Sequence, residues 1–156
     1  MDLSLLEKIK SFCAYQERSH KEVRSKLLSM EIYGSDLEEY LVVLIEENFL
    51  NEERFARALA RGKFRIKHWG KNRIKQSLRW HQVSEYCIRK GLEEIDEDEY
   101  REVFEKTAQK KWDELRGKGK KLSRLARLKN FLLQRGFEQE IIFEWIRTNE
   151  TSNANF

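Results

Sequence analysis

The stretch Ser19–Ile45, SHKEVRSKLLSMEIYGSDLEEYLVVLI, contains two apolar runs separated by a short polar segment. Leu37, Leu41 and Leu44 of the second run recur at helical spacing and so fall on one face of an α-helix. Gly34 permits a sharp turn between the runs, because glycine adopts backbone conformations that other residues avoid. The stretch therefore predicts a helix–turn–helix unit of about 25 residues.

Two serine–glutamate pairs mark the expected helix starts in this stretch. Ser19 with Glu22, and Ser35 with Glu38, have the spacing of a capping box. In that motif the serine oxygen accepts a free backbone N–H and the glutamate accepts another from the next turn. We therefore expect helices to begin near residues 20 and 36.

The same apolar pattern recurs twice further along the chain. The first series is Val23, Leu27, Ile32, Leu37, Leu41 and Leu44; an offset of 51 leads to Ile74, Leu78, Val83, Ile88, Leu92 and Ile95, and a further 54 to Leu128, Leu132, Phe137, Ile142 and Ile146. Gly136 would permit the third turn, whereas His81 and Gln82 occupy the second. The sixth position of the third copy falls on Asn149. Because one offset otherwise serves each series, the pattern indicates an internal repeat.

The repeat predicts an all-α fold. A longer helix precedes the second and third copies, and a helix from about Leu3 to Tyr15 would complete the first. We therefore expect three tandem three-helix repeats, helix-turn-helix-like, at residues 1–48, 49–96 and 97–148, in an elongated array that is straight or curved. The absence of proline among 156 residues leaves such helices unbroken, and the polar segment 149–156 is expected to be a disordered or frayed tail.

Several classes of function find no support in the sequence. Cys13 and Cys87 have no metal or redox spacing, and the three histidines, His20, His68 and His81, match no zinc site. No phosphate loop, H-E-x-x-H helix or G-x-S-x-G elbow is present. We therefore expect no enzyme, no cofactor, no metal and no small-molecule substrate. With no signal segment and no run of ~20 apolar residues, we expect a cytoplasmic protein without a membrane span.

Positive charge is concentrated in two blocks. Residues 51–80 carry ten Lys and Arg against two Asp and Glu, and residues 101–135 carry twelve against four. Such blocks can steer a phosphate-bearing or acidic partner, or can reflect only the helix propensity of Lys and Arg on wet faces. Lys71 and Lys75 are expected to be exposed. The predicted partner contacts are Arg57, Arg61, Arg65, Lys71, Lys75, Lys118, Lys120 and Lys121.

The tryptophans allow two interpretations. Helical spacing places Trp112 in a core. Trp69 and Trp80 could stack on nucleic acid bases, as in single-strand binders, but aromatic residues at helix ends more often brace a junction between modules.

Four motifs resemble the RecX regulatory family. Phe49–Ala56, FLNEERFA, is similar to its "L-N/D-D-x-R-F/Y-A" signature, with Glu52 in place of aspartate. Gly70–Val83 resembles "G-x-x-R-I-x-x-x-L-x-x-x-G-I" without the second glycine, and Arg18–Leu27 and Leu132–Phe137 resemble its opening "R-x-S-x-x-E-L-x-x-K-L" and closing "L-x-x-R-G-F". The motif residues expected to be structural are Leu50, Arg54, Phe55, Ala56, Gly70, Arg73, Ile74, Leu78 and Gly136.

The resemblance implies both a fold and a function. It implies three tandem three-helix modules, and a regulator that lodges in the helical groove of RecA–DNA filaments. There such a protein restrains ATP hydrolysis and strand exchange in DNA repair, recombination and the SOS response. The implied partner is the RecA recombinase filament, which we expect a monomer to bind. A protein of this kind can also contact single- or double-stranded DNA directly. A helix-turn-helix protein acting directly on DNA is the alternative.

Overall fold

The computed structural model of the chain describes residues 1–152, and the regular secondary structure there is all α-helix, which confirms the predicted all-α class. In chain order those residues form nine helices, three for each copy of the predicted repeat. The first helix spans the residues expected for it. The helices are α1 (Leu3–Tyr15), α2 (His20–Ser29), α3 (Gly34–Glu46), α4 (Glu52–Lys67), α5 (Lys71–Trp80), α6 (Glu85–Leu92), α7 (Glu97–Glu114), α8 (Lys121–Gln134) and α9 (Gln139–Ser152).

One of the two predicted capping boxes is present and the other is wrong. At α2 the Ser19 hydroxyl accepts from the Glu22 N–H, and the Glu22 carboxylate accepts from the Ser19 N–H. Helix α3 instead begins at Gly34, two residues before the expected start, without a side-chain cap. The reason is that the Glu38 carboxylate accepts from the Arg24 guanidinium, at 2.7 and 3.2 Å, and is not available to α3.

The turn between the second and third helices has the same backbone form in every group. Glu31, Gln82 and Gly136, which the offsets of 51 and 54 relate, all have a left-handed φ, of 62°, 61° and 97°. After each of them an amide donates to the carbonyl five residues back, a Schellman turn that satisfies a free helix carbonyl. These bonds run from Ile32 to Leu27 (3.0 Å), from Val83 to Leu78 (3.1 Å) and from Phe137 to Leu132 (3.1 Å).

Glycine in place of Gln82 is expected to raise the free energy of unfolding by about 1 kcal/mol. An L-residue loses roughly that much on entering the left-handed region, and glycine does not. For a chain of this size the melting temperature should rise by about 2–4 °C, measurable by circular dichroism. Gln82→Ala is the control and should leave stability nearly unchanged; a glycine variant no more stable than it would contradict the prediction.

The helices pack into two compact units. Unit 1 comprises Met1–Arg61 and Ser77–Glu94, and unit 2 comprises Gly62–Gln76 and Ile95–Phe156. The divisions fall inside α4 and α5, so the middle group of helices contributes to both units. The sequence-derived module bounds therefore stay a prediction.

The core of unit 1 includes both cysteines of the chain. Cys13 and Cys87 are 6% and 8% exposed. Burial raises the pKa of the Cys13 thiol to about 11 and also raises that of Cys87. The other fully buried side chains of this core include Ile9, Val23, Leu27, Leu44 and Leu78.

Aromatic rings dominate the core of unit 2. The Phe137 ring centroid lies 5.2 Å from that of Phe104 and 5.7 Å from that of Tyr100. The Phe64 ring lies 5.8 Å from Tyr100 on the same core. Tilted ring pairs at such distances are favourable beyond their burial alone.

In unit 2 the backbone at Gly70, before α5, packs directly against the backbone at Gly136, after α8. The Gly70 N–H donates to the Arg135 carbonyl at 2.8 Å, and the Asn72 N–H donates to the Gly136 carbonyl at 2.9 Å. A main-chain carbonyl thus caps the start of α5, where many helices use a polar side chain. By the same offsets, Gly70 and Arg135 correspond in unit 1 to Ser19 and His81, whose Oγ and Nδ1 atoms lie 3.2 Å apart.

The motif residues expected to be structural lie in cores or at junctions. Arg54 donates from Nε to the Glu17 carboxylate at 2.5 Å and from Nη1 to the Asn48 side chain at 3.0 Å. Arg73 lies with its guanidinium 4.2 Å from the Trp69 ring centroid. The buried members of the set are Leu50, Phe55, Ala56, Gly70, Ile74, Leu78 and Gly136.

The polar end of the chain is helical further than expected. Helix α9 continues through Asn149 to Ser152, so the tail predicted from residue 149 does not begin there. The Asn149 side-chain amide donates to the Trp145 carbonyl at 2.7 Å. Residues 153–156 of the predicted tail lie outside the described residues.

Candidate partner-binding surface

The net positive charge of the chain belongs to unit 2. That unit carries 19 Lys and Arg against 12 Asp and Glu, a net charge of +7. Unit 1 carries 12 against 15, a net charge of −3. The charge that would attract a negative partner therefore lies on unit 2.

Arg57 and Arg61, two of the predicted contacts, lie in unit 1 and are neutralised within it. The Arg57 guanidinium contacts Glu53 at 3.1 Å, Glu93 at 3.4 Å and Glu94 at 3.3 Å, and Arg61 contacts Glu94 at 3.4 Å. The hydrogen bond to Glu53, then that to Glu94, raises the pKa of Arg57. Because Arg57 contacts three carboxylates and Arg61 shares Glu94 with it, these arginines are better explained as links between α4 and the segment after α6.

Lys71 is also committed to an internal contact, which corrects the expectation that it is exposed. Its side chain is only 18% exposed, and its Nζ contacts the Glu97 carboxylate and lies 4.7 Å from the Tyr100 ring centroid. Its backbone N–H donates to the Tyr100 hydroxyl at 2.9 Å, while that hydroxyl donates to Glu138. Burial and the bond to Glu138 raise the pKa of Tyr100 well above its ordinary value, so the phenol stays protonated.

The other predicted contacts lie in unit 2, and four of the five have no carboxylate partner among the described residues. Within residues 1–152, no carboxylate approaches Arg65, Lys75, Lys118 or Lys120 closely enough for an ion pair, and Lys75 is half-buried rather than exposed. Lys121 lies 4.0 Å from Glu150. Arg65, Lys118 and Lys120 are exposed and can therefore reach a partner.

A basic cavity of about 480 Å³ lies between α7, the end of α8 and the residue that follows α4, all in unit 2. Its cationic lining comprises Lys106, Lys110 and Lys111 of α7 and Arg135 after α8, with His68 at its side. Its remaining lining residues are Val103, Thr107, Glu114 and Phe131.

Sequence reasoning did not select the residues of this cavity as contacts. Lys106 and Lys110 are separated by one helical turn and therefore lie on one face of α7, a signal that was available. Arg135 and His68 carried no local signal, because the fold brings them to α7 from distant parts of the chain. His68 is exposed.

The ring faces of two tryptophans, Trp69 and Trp80, contact cations. The Trp69 ring centroid lies 4.8 Å from Lys63 Nζ and 4.2 Å from the Arg73 guanidinium. Trp80 is 65% exposed, with Lys21 Nζ 3.8 Å from its ring centroid and donating to its carbonyl. Trp112 is buried. The contact of Trp80 joins α2 to the end of α5 within unit 1.

Two further properties concern the part of the chain that the structure describes. None of its helices combines the length and apolar composition that crossing a membrane requires. No three side chains among its His, Cys, Asp and Glu residues group closely enough to hold a metal ion.

The chain is similar in sequence to bacterial proteins named Regulatory protein RecX. It is 27% identical to that of Oceanobacillus iheyensis, covering 90% of this chain and 52% of the relative, and 31% identical to that of Enterococcus faecalis, covering 88% and 51%. The chain thus spans about half the length of these two relatives. With the protein of Herminiimonas arsenicoxydans it shares 27% identity over 96% of this chain and 95% of that one.

Solved structures and family domains agree with this likeness. The crystal structure of RecX from Lactobacillus salivarius superposes with a TM-score of 0.81 at 22% identity, over 94% of each chain. A crystal structure of regulatory protein RecX gives 0.79 at 21% identity, over 92% of this chain and 71% of that one, and both show the same fold. Residues 51–92 match the second three-helix domain of RecX and residues 97–146 match the third, so the chain belongs to the RecX family of regulatory proteins.

Proposed function

We propose that this chain regulates a RecA recombinase by binding the RecA–DNA filament and restraining its ATP hydrolysis, without catalysing a reaction itself. The observation that carries the proposal is the net charge of +7 on unit 2. A filament that holds DNA is a strongly negative partner, because every nucleotide brings a phosphate. The relatives are named regulatory proteins, which agrees with a role in controlling another protein.

The proposed contact surface consists of the accessible cations of unit 2. We retain Arg65, Lys75 and Lys118–Lys121 as contacts and assign Arg57, Arg61 and Lys71 to internal ion pairs. The proposed modules remain residues 1–48, 49–96 and 97–148. The protein would act as a cytoplasmic monomer in DNA repair and recombination.

Reversing two charges of this surface is expected to weaken the inhibition of RecA. The double variant Lys118→Glu, Lys120→Glu should need roughly tenfold more protein for half-inhibition, because it places anions before a negative partner. The measurement is a titration of RecA ATP hydrolysis on single-stranded DNA. Both positions are exposed and outside the cores, so folding should be unaffected.

The matched control makes the same charge change in unit 1. Lys8→Glu with Arg89→Glu alters two exposed cations of unit 1 and should inhibit as the unmodified protein does. An equal loss in both variants would remove unit 2 as the contact surface. An unmodified protein that leaves RecA unaffected at every concentration, yet binds duplex DNA with a sequence preference, would favour the helix-turn-helix alternative.

A further inference from the structure

The basic cavity of unit 2 combines cations with apolar side chains in a concave space. Lys106, Lys110 and Lys111 approach it from α7, and Arg135 approaches from the end of α8. Val103 and Phe131 contribute the apolar part of its lining. Binding sites typically have this form, since apolar walls provide contact area and a few charged groups provide orientation.

Most of these cations lack a carboxylate partner within the described part of the chain. Lys106 contacts Glu102 at 2.9 Å, but both side chains are largely exposed, and such a pair is weak. Lys111 Nζ and the Arg135 guanidinium lie 4.8 and 5.0 Å from the Phe131 ring centroid. Lys110 contacts no carboxylate in residues 1–152. The cavity therefore holds excess positive charge that an anionic ligand would relieve.

The side chains that line the cavity favour a peptide as the ligand over a nucleic acid strand. The Phe131 ring already contacts Lys111 and Arg135, so a base stacking on it would compete with those cations. Glu114 also lines the cavity and would repel a continuous run of phosphates. Separate carboxylates on a peptide can avoid Glu114, and an apolar side chain between them can contact Val103.

We propose that this cavity binds an acidic peptide segment of a protein partner. The partner's carboxylates pair with Lys106, Lys110 and Arg135, and one of its apolar side chains packs against Val103. The inference rests on the proposed function in one respect, because it names the chemistry through which unit 2 would hold its protein partner.

The test uses a synthetic peptide in which glutamates flank a single leucine, added to the isotope-labelled full chain. NMR shift changes should concentrate on the backbone amides of Val103, Thr107, Phe131 and Arg135. The variant Lys106→Gln, Lys110→Gln should weaken binding roughly tenfold, since charge-assisted contacts are lost. The control Arg116→Gln, Arg147→Gln removes the same charge from two exposed positions of the same unit and should bind within about twofold of the unmodified chain.

Three results would overturn the inference. They are shifts spread over residues 118–121 instead of the cavity, equal weakening by both variants, and displacement of the peptide from the cavity by a single-stranded oligonucleotide at lower concentration. The peptide assay contains no RecA, so it fails independently of the proposed function. If the peptide binds the cavity while RecA hydrolysis is unaffected, the proposed function is wrong and the cavity assignment stands.

Discussion

Alanine at position 70 is expected to lower the free energy of unfolding by about 4 kcal/mol. A Cβ there would lie 2.3 Å from the Gly136 carbonyl carbon and 2.4 Å from the Phe137 nitrogen. These are backbone atoms, which cannot rotate away as a side chain can, so the turn must separate from α5. Overpacking of a tight site costs about 1–3 kcal/mol, and the two main-chain hydrogen bonds at this contact add about 1 kcal/mol each.

Gly62→Ala is the matched control for this substitution. Gly62 lies inside α4, has no atom within 4 Å of an added Cβ and does not hold a left-handed φ. Alanine there should increase stability by up to about 1 kcal/mol, because it favours helix more than glycine does. Urea unfolding followed by circular dichroism measures both variants. Equal stability of the two would show that the Gly70 contact does not hold unit 2 together.

Truncation of Phe137 to alanine is expected to have a similarly large effect, a loss of about 4 kcal/mol. The side chain has no exposed surface and its ring contacts both Phe104 and Tyr100. Removing a fully buried phenylalanine loses its transfer free energy and leaves a cavity, which together cost about 3–5 kcal/mol. The Schellman hydrogen bond from Phe137 uses only the main chain and should survive.

Phe143→Ala makes the same chemical change on a less buried part of unit 2. Phe143 is 41% exposed on α9, with Lys129 Nζ 5.0 Å from its ring centroid. Its truncation should cost less than about 1 kcal/mol, as for most substitutions outside a core. Loss of near-ultraviolet circular dichroism and a lower urea midpoint for Phe137→Ala alone would agree with the aromatic core. Comparable losses in both variants would argue against it.

The fold was largely predictable because the spacing of the apolar residues repeats along the chain. The offsets that relate Ile32, Val83 and Phe137 also relate three turns of one backbone form, although only the third has glycine before it. Gln82 adopts that form without a glycine signal, because the Schellman bond and the burial of Val83 outweigh its local cost. The second capping box was wrong because Glu38 binds Arg24, a contact between helices that short-range spacing does not encode.

The contact surface was less predictable, because charge balance is set by residues distant in sequence. Arg57 and Arg61 stand in a basic run, yet Glu93 and Glu94 reach them from more than thirty residues away. The basic cavity was not predicted for the same reason, since Arg135 and Lys110 line one cavity only after α7 and α8 pack together. Local patterns indicated which segments are basic but not which charges remain available.

The placement of the two thiols allows the local opening of unit 1 to be measured separately from that of unit 2. The chain has two cysteines, both in unit 1, and both are largely buried with a raised pKa. Only an exposed thiolate reacts with an alkylating reagent, so modification waits until the surrounding helices separate. The rate at which the native chain is alkylated therefore measures how often unit 1 opens locally. It carries no information on the opening of unit 2.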